Sequence, residues 1–197
     1  MKADRRIRSL ICAAALGVLI QLMSSCVMNL VFAFFPMLAN RYSDLLSGFI
    51  RYDIKSILYI CVFSPLLEEF LFRGFMLLGY KLLIKAKAPI SKKGLFYLLD
   101  LIQSLLFAFY HGNPIQGVYA FILGLFIGWL VFGTFSIMSG VVFHVFVNTS
   151  SLLLYRYGNA DLHDPVFIAA FPLLALLSFF LIRSIRSGFI NEDGALR

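Results

Sequence analysis

The sequence predicts an all-α fold, a polytopic membrane helix bundle of about six transmembrane helices with a polar cluster in the bundle interior. Three observations point there. Hydrophobic residues make up 61% of the 197 residues and charged residues only 14%, where soluble domains carry about 25% charged. The apolar residues gather into six runs, each close to the ~20 residues that cross a bilayer. Those runs are apolar almost all round, as lipid-facing helices are, rather than along one stripe. In hydrocarbon a helix satisfies its own backbone hydrogen bonds. The length leaves no room for a large aqueous part. A soluble globular domain and a disordered chain are both excluded, and residues 1–197 are expected to form a single transmembrane domain.

The runs are 9–38, 54–80, 95–111, 115–133, 137–155 and 165–182. The first follows a basic start, Met1–Arg8, and Met23-Ser24-Ser25-Cys26 loosely resembles a lipoprotein cleavage box. The apolar run continues past it to Phe35, far beyond a signal core, so an uncleaved helix is the better reading. The second run contains Pro65, where it can break. The third carries Asp100, facing either the lysine loop or an interior cavity, and ends in a Gly112-Asn113-Pro114 turn. Gly124 and Gly128 form a GxxxG in the fourth and read as close helix packing. The fifth holds His144 and Asn148. His163 precedes the sixth in a polar loop and reads as solvated. Cys12, Cys26 and Cys61 lie in apolar surroundings without CxxC spacing, and read as small buried residues rather than a disulfide framework or a zinc cluster.

The net charge is +7. Twelve of the seventeen Lys and Arg fall before the first run, at Lys81–Lys93, or after the last run. Four, Arg41, Arg51, Lys55 and Arg156, fall in the alternate connections, and Arg73 lies within a run. Basic loops mark the cytoplasmic side, so both termini are expected there. This accounts for the positive charge without a nucleic-acid partner. Membrane lipids are the expected partners, with the Lys81–Lys93 segment near anionic headgroups.

The chemistry concentrates in Ser64-Pro65-Leu66-Leu67-Glu68-Glu69-Phe70-Leu71-Phe72-Arg73-Gly74. Each charged group at a helix centre costs about 2.5–3.5 kcal/mol on insertion scales, so three of them imply pairing or use. Glu69 and Arg73 are four apart in the favourable acid-before-base order. Glu68 lies about 100° around the helix from Glu69, and its own i+4 position is Phe72, which carries no charge. The local pairing thus takes Glu69 and leaves Glu68 as the candidate general base. A purely architectural ion pair with a second glutamate at a water boundary is the alternative. His111 ends the third run. His144 and Asn148, four apart, share a face of the fifth. Intramembrane polar groups tend to gather in the bundle interior, and these residues on three separate runs are expected to converge.

Glu-Glu-x-x-x-Arg at 68–73, Phe-x-x-x-His at 107–111 and His-x-x-x-Asn at 144–148 resemble, in order, the three motifs of the CPBP intramembrane proteases, the CAAX protease/bacteriocin-processing or Abi family. The resemblance covers roughly 54–155, the motif-bearing core. It implies a glutamate-dependent endopeptidase of a multi-pass, bacterial cell membrane. Glu68 would activate a water that His111 helps hold or deprotonate. His144 and Asn148 would donate to the developing oxyanion, with Glu69 and Arg73 in support. No cofactor and no metal are implied, and the substrate would be a peptide or membrane protein.

Two rivals stay open at this stage. Two His and a Glu can ligate zinc with a water in the fourth position, although no H-E-x-x-H helix is present. A non-enzymatic membrane protein, a transporter or a bacteriocin self-immunity protein acting by binding, is the other. No inverted repeat or pair of broken helices speaks for a transporter.

Overall fold

The structure, a computed structural model, describes residues 2–49, 52–134, 136–157 and 165–189. All regular structure among the described residues is helical: α1 (Lys2–Phe34), α2 (Pro36–Phe49), α3 (Ile54–Leu58), a π turn (Tyr59–Phe63), α4 (Ser64–Lys85), α5 (Lys92–Tyr110), α6 (Pro114–Thr134), α7 (Ile137–Tyr157) and α8 (Pro165–Phe189). Four of them, within α1, α5, α6 and α7, are long and apolar enough to cross a membrane. In α8 the apolar stretch Ala170–Ile185 is shorter. The 22 residues of α4 span about 33 Å at 1.5 Å per residue, but they carry Glu68, Glu69, Arg73, Lys81 and Lys85. The fold is that of a polytopic helical membrane bundle. His163 lies outside the described residues.

Two prolines shape the helices differently. The expected first run, 9–38, is broken. Phe35 N still donates to the Val31 carbonyl at 2.9 Å, but Pro36 has no N–H for the Phe32 carbonyl. The chain restarts as α2 with Pro36 as its first residue, a position where the missing donor is harmless. The apolar composition runs through this kink and hides it. Pro65, by contrast, does not break the second run. The helix absorbs it through the π turn immediately before, where Ser64 N donates five residues back to the Tyr59 carbonyl. Asp53 caps the start of α3, accepting from Ser56 N at 3.0 Å and Ser56 Oγ at 2.8 Å. These bonds hold its carboxyl below the usual carboxylate range.

The chain forms two compact units, residues 1–64 with 142–197, and residues 65–141. In the first, α1 lies along α8. Arg8 Nη2 donates to Ser184 Oγ at 2.7 Å, and Ser178 Oγ to Met23 Sδ at 3.7 Å. Going up α1 from Arg8 to Met23 therefore goes down α8 from Ser184 to Ser178, and the two helices are antiparallel. Gly17 lets α1 approach α7 closely, since a Cβ there would sit 2.5 Å from the Phe143 carbonyl oxygen.

In the second unit α4 ends in a Schellman turn, with Ala88 N on the Leu83 carbonyl and Lys87 N on the Ile84 carbonyl. Lys87 takes the left-handed position, φ 53°, usually given to glycine. Ser91 caps α5 through Gly94 N at 3.0 Å. The α5–α6 turn uses Gly112 at φ 69°, and Asn113 Oδ1 caps α6 by accepting from Gln116 N at 2.8 Å. The two helices then pack closely where Gly124 and Gly128 of α6 face α5. A Cβ at Gly124 would lie 3.1 Å from Ser104, and one at Gly128 would overlap the Asp100 carboxylate.

Candidate active site

The Glu69–Arg73 pair expected from i,i+4 spacing is formed. Arg73 Nη1 lies 3.1 Å from Glu69 Oε1, and both side chains are 0% exposed. Burying a charged pair is favourable only where geometry and further hydrogen bonds are good, and the second unit supplies part of what Arg73 needs, since Nε and, its ion pair with Glu69 aside, Nη1 are buried without a hydrogen-bond acceptor among the described residues. Nη2 donates to the Gly124 carbonyl at 3.3 Å. The guanidinium carbon stands 4.5 Å over the Phe107 ring, a cation–π contact strengthened by burial. The Gly124 carbonyl also accepts from Gln103 Nε2 at 3.1 Å, and the same nitrogen reaches Asp100 Oδ1 at 2.8 Å. Glycines make room for this cluster. A Cβ at Gly140 would come within 2.9 Å of Glu69 Oε2.

Asp100 thus faces the interior, against α6, rather than the lysine loop. Asp100 and Gln103 belong to the network that seats Arg73, and the motif reading did not single out Gln103. A signal existed, because Asp100, Gln103, Ser104, Phe107 and His111 follow i, i+3, i+4, i+7 and i+11, one face of a helix. Polar residues alternating with a motif phenylalanine on that face mark it as the inward one.

Glu68 is also buried but keeps 8% exposure, against 0% for Glu69. The two adjacent carboxylates therefore differ in exposure although they are neighbours in sequence. Phe72, one turn after Glu68, packs edge-on against Phe107 at 5.1 Å and Tyr110 at 5.6 Å. This sets the α5 motif beside the α4 motif within one unit.

His111 closes α5 as its C-cap and is half-buried. Its Nδ1 lies 2.8 Å from the Phe107 carbonyl. A carbonyl only accepts, so Nδ1 carries the hydrogen, and in the neutral ring Nε2 presents its lone pair. The ring also stands edge-to-face on Phe107 at 4.7 Å. Phe107 therefore supports both Arg73, through its ring, and His111, through its ring and its carbonyl. The four-residue spacing of Phe-x-x-x-His is what brings the carbonyl under the imidazole.

The third motif lies on α7 in the first unit. His144 is buried, 3% exposed. Asn148, one turn on, is half-buried, and its Nδ2 donates to the Ile60 carbonyl at 3.0 Å. Among the described residues no group of three His, Cys, Asp or Glu is placed to hold a metal ion.

Residues 51–150, the stretch that contains all three motifs, match the family described as Type II CAAX prenyl endopeptidase Rce1-like. No curated protein and no solved structure matches the chain.

Proposed function

Since the chain belongs to the type II CAAX prenyl endopeptidase Rce1-like family of membrane endopeptidases, we propose that it hydrolyses peptide bonds with a water activated by Glu68. The carrying observation is the unequal fate of the two adjacent glutamates. Glu69 is sealed against Arg73 at 0% exposure, whereas Glu68 keeps 8%. In this reading Glu68 takes a proton from a water held on Nε2 of His111. The resulting hydroxide attacks the scissile carbonyl carbon. His144 donates to the tetrahedral oxyanion, together with the amide hydrogen of Asn148 that is not on Ile60. Collapse breaks the C–N bond, and the proton held by Glu68 passes to the leaving nitrogen. The products are a carboxylate and an amine. No step is routed through a metal or a cofactor. Glu69 and Arg73 fix the α4 face from which Glu68 projects.

The substrate is a peptide or a membrane-protein segment, and the family description makes a prenylated CAAX peptide the first probe. The protein sits in a multi-pass arrangement in the cell membrane with both termini cytoplasmic. The antiparallel α1 and α8 support that arrangement, because the start of one and the end of the other lie together. The test uses purified, detergent-solubilised protein stripped of metal, with prenylated and unprenylated CAAX peptides. Wild type should cleave at least one of them, and Glu68→Gln should lose about 10²–10⁴ in kcat, the range for a general base. Full activity of folded Glu68→Gln would refute the base assignment. Activity lost on chelation and regained with zinc would replace the mechanism by a metal-dependent one.

A further inference from the structure

The chain creates a backbone problem at Ile60, and a side chain of α7 answers it. In an α-helix the Ile60 carbonyl would accept from the N–H of residue 64. Here Ser64 N is turned onto the Tyr59 carbonyl instead, the five-residue bond of the π turn. In that register the donor to Ile60 would come from residue 65. Residue 65 is proline and has no N–H. One backbone donor is thus engaged elsewhere and the other does not exist. Asn148 Nδ2 supplies the bond, 3.0 Å from the Ile60 oxygen, across 88 residues of sequence. The next residue, Thr149, hydrogen-bonds the Cys61 sulfur through its side chain. Two successive side chains of α7 therefore dock on two successive residues of the π turn. In hydrocarbon an unmade backbone hydrogen bond is costly, and prolines are tolerated in spanning helices where a neighbour re-satisfies the freed carbonyl.

We infer that, beside its oxyanion contact in the proposed reaction, Asn148 has a positioning role: its other amide hydrogen gives Ile60 the bond that Pro65 denies it and so holds the π turn that leads into Glu68. A π turn inserts one extra residue into the helix, which re-aims each later side chain by about 100°. Glu68 follows Pro65 by three residues, so its direction depends on the turn. The link to the reaction rests on the reading of Glu68 as the base. The hydrogen-bond assignment does not.

A double-mutant cycle of Asn148→Ala and Pro65→Ala in the full-length, detergent-solubilised chain tests it. Pro65→Ala restores an N–H to the turn and gives Ile60 a backbone donor. An amide acting only on the oxyanion would be indifferent to residue 65. With Pro65 in place, Asn148→Ala should lower the thermal midpoint by roughly 2–4 °C and reduce kcat on the prenylated peptide by ~10-fold or more. In the Pro65→Ala background the midpoint loss should largely vanish, and the kcat loss should shrink to the share that the oxyanion contact alone accounts for. Asn148→Asp, similar in shape but without the N–H, should behave as Asn148→Ala does. Equal losses of midpoint in both backgrounds would overturn the hydrogen-bond assignment. Coupled midpoints with equal kcat losses would overturn the positioning role. Should Pro65→Ala itself be inactive, the midpoints still decide the assignment. Coupled midpoints in a chain that cleaves neither peptide would remove the protease reading and leave the bond standing.

Discussion

Arg73 is fully buried beside Glu69, and its removal would strip a sealed carboxylate of the cation facing it. Breaking a buried pair on one side destabilises by about 3–5 kcal/mol. At roughly 2–4 °C per kcal/mol for a chain of this size, Arg73→Met should lower the thermal midpoint by on the order of 10 °C. Replacing both partners, Glu69→Gln with Arg73→Met, should recover most of it, because an apolar or neutral pair avoids the desolvation of two charges. A small effect of the single change would mean that the pair is less dry than its geometry. Arg73→Lys is no rescue. A lysine has no planar fork to reach Glu69 and the Gly124 carbonyl together while lying on Phe107. His111 should behave in the opposite way. Its half-buried ring caps a helix end and seals little, so His111→Ala should cost about 10²–10⁴ in kcat with little change in midpoint. Unfolding curves and kinetics on the same preparations separate the two kinds of residue.

Glycine placement sets how closely the helices approach, and two glycines give opposite expectations. A Cβ at Gly17 would press 2.5 Å from a backbone oxygen of α7, which cannot swing aside as a side chain does. Gly17→Ala should therefore destabilise by about 1–3 kcal/mol, as overpacking does. Gly48, in α2, has nothing within 4 Å of such a Cβ, so Gly48→Ala should stabilise by about 0.5–1 kcal/mol through helix propensity. Thermal unfolding of the two variants checks both signs. At this same scale the sequence was readable in part. The apolar runs located α5, α6 and α7 within a few residues, because lipid exposure leaves a signal in composition. The Glu69–Arg73 pair was readable because both members lie on one helix, and the close packing at Gly124 and Gly128 because small residues mark it. The kink at Pro36 was hidden inside continuous hydrophobicity. The π turn was hidden as well, since the apolar residues Tyr59–Phe63 carry no mark of their backbone register. The partners of Asn148 and Arg73 on Ile60 and Gly124 could not be read, because they are backbone carbonyls, which every residue possesses. Tertiary structure alone chooses among them.

Across the whole molecule, charge placement and helix direction bear on one question, which side each end of the chain occupies. Twelve of the seventeen basic residues lie in the two terminal segments and in the Lys81–Lys93 segment. Each basic residue near an anionic leaflet is worth about 1 kcal/mol, and basic loops are retained in the cytoplasm. The five lysines of Lys81–Lys93 alone then favour that side by roughly 5 kcal/mol. Helix direction agrees independently of charge, since α1 and α8 are antiparallel with Arg8 against Ser184. If both helices cross the bilayer, Arg8 and Ser184 lie at one face of the membrane, and both termini are expected on that face. Reporter fusions at residue 1 and residue 197 should both give the cytoplasmic signal. Replacing the five lysines by glutamine should weaken the preference and produce a mixed population, with the two termini still reporting the same side in each molecule. Fusions that place the ends on opposite sides would refute the even number of crossings as well as the orientation. Fusions that place both outside would refute the charge argument alone and leave the helix pairing intact.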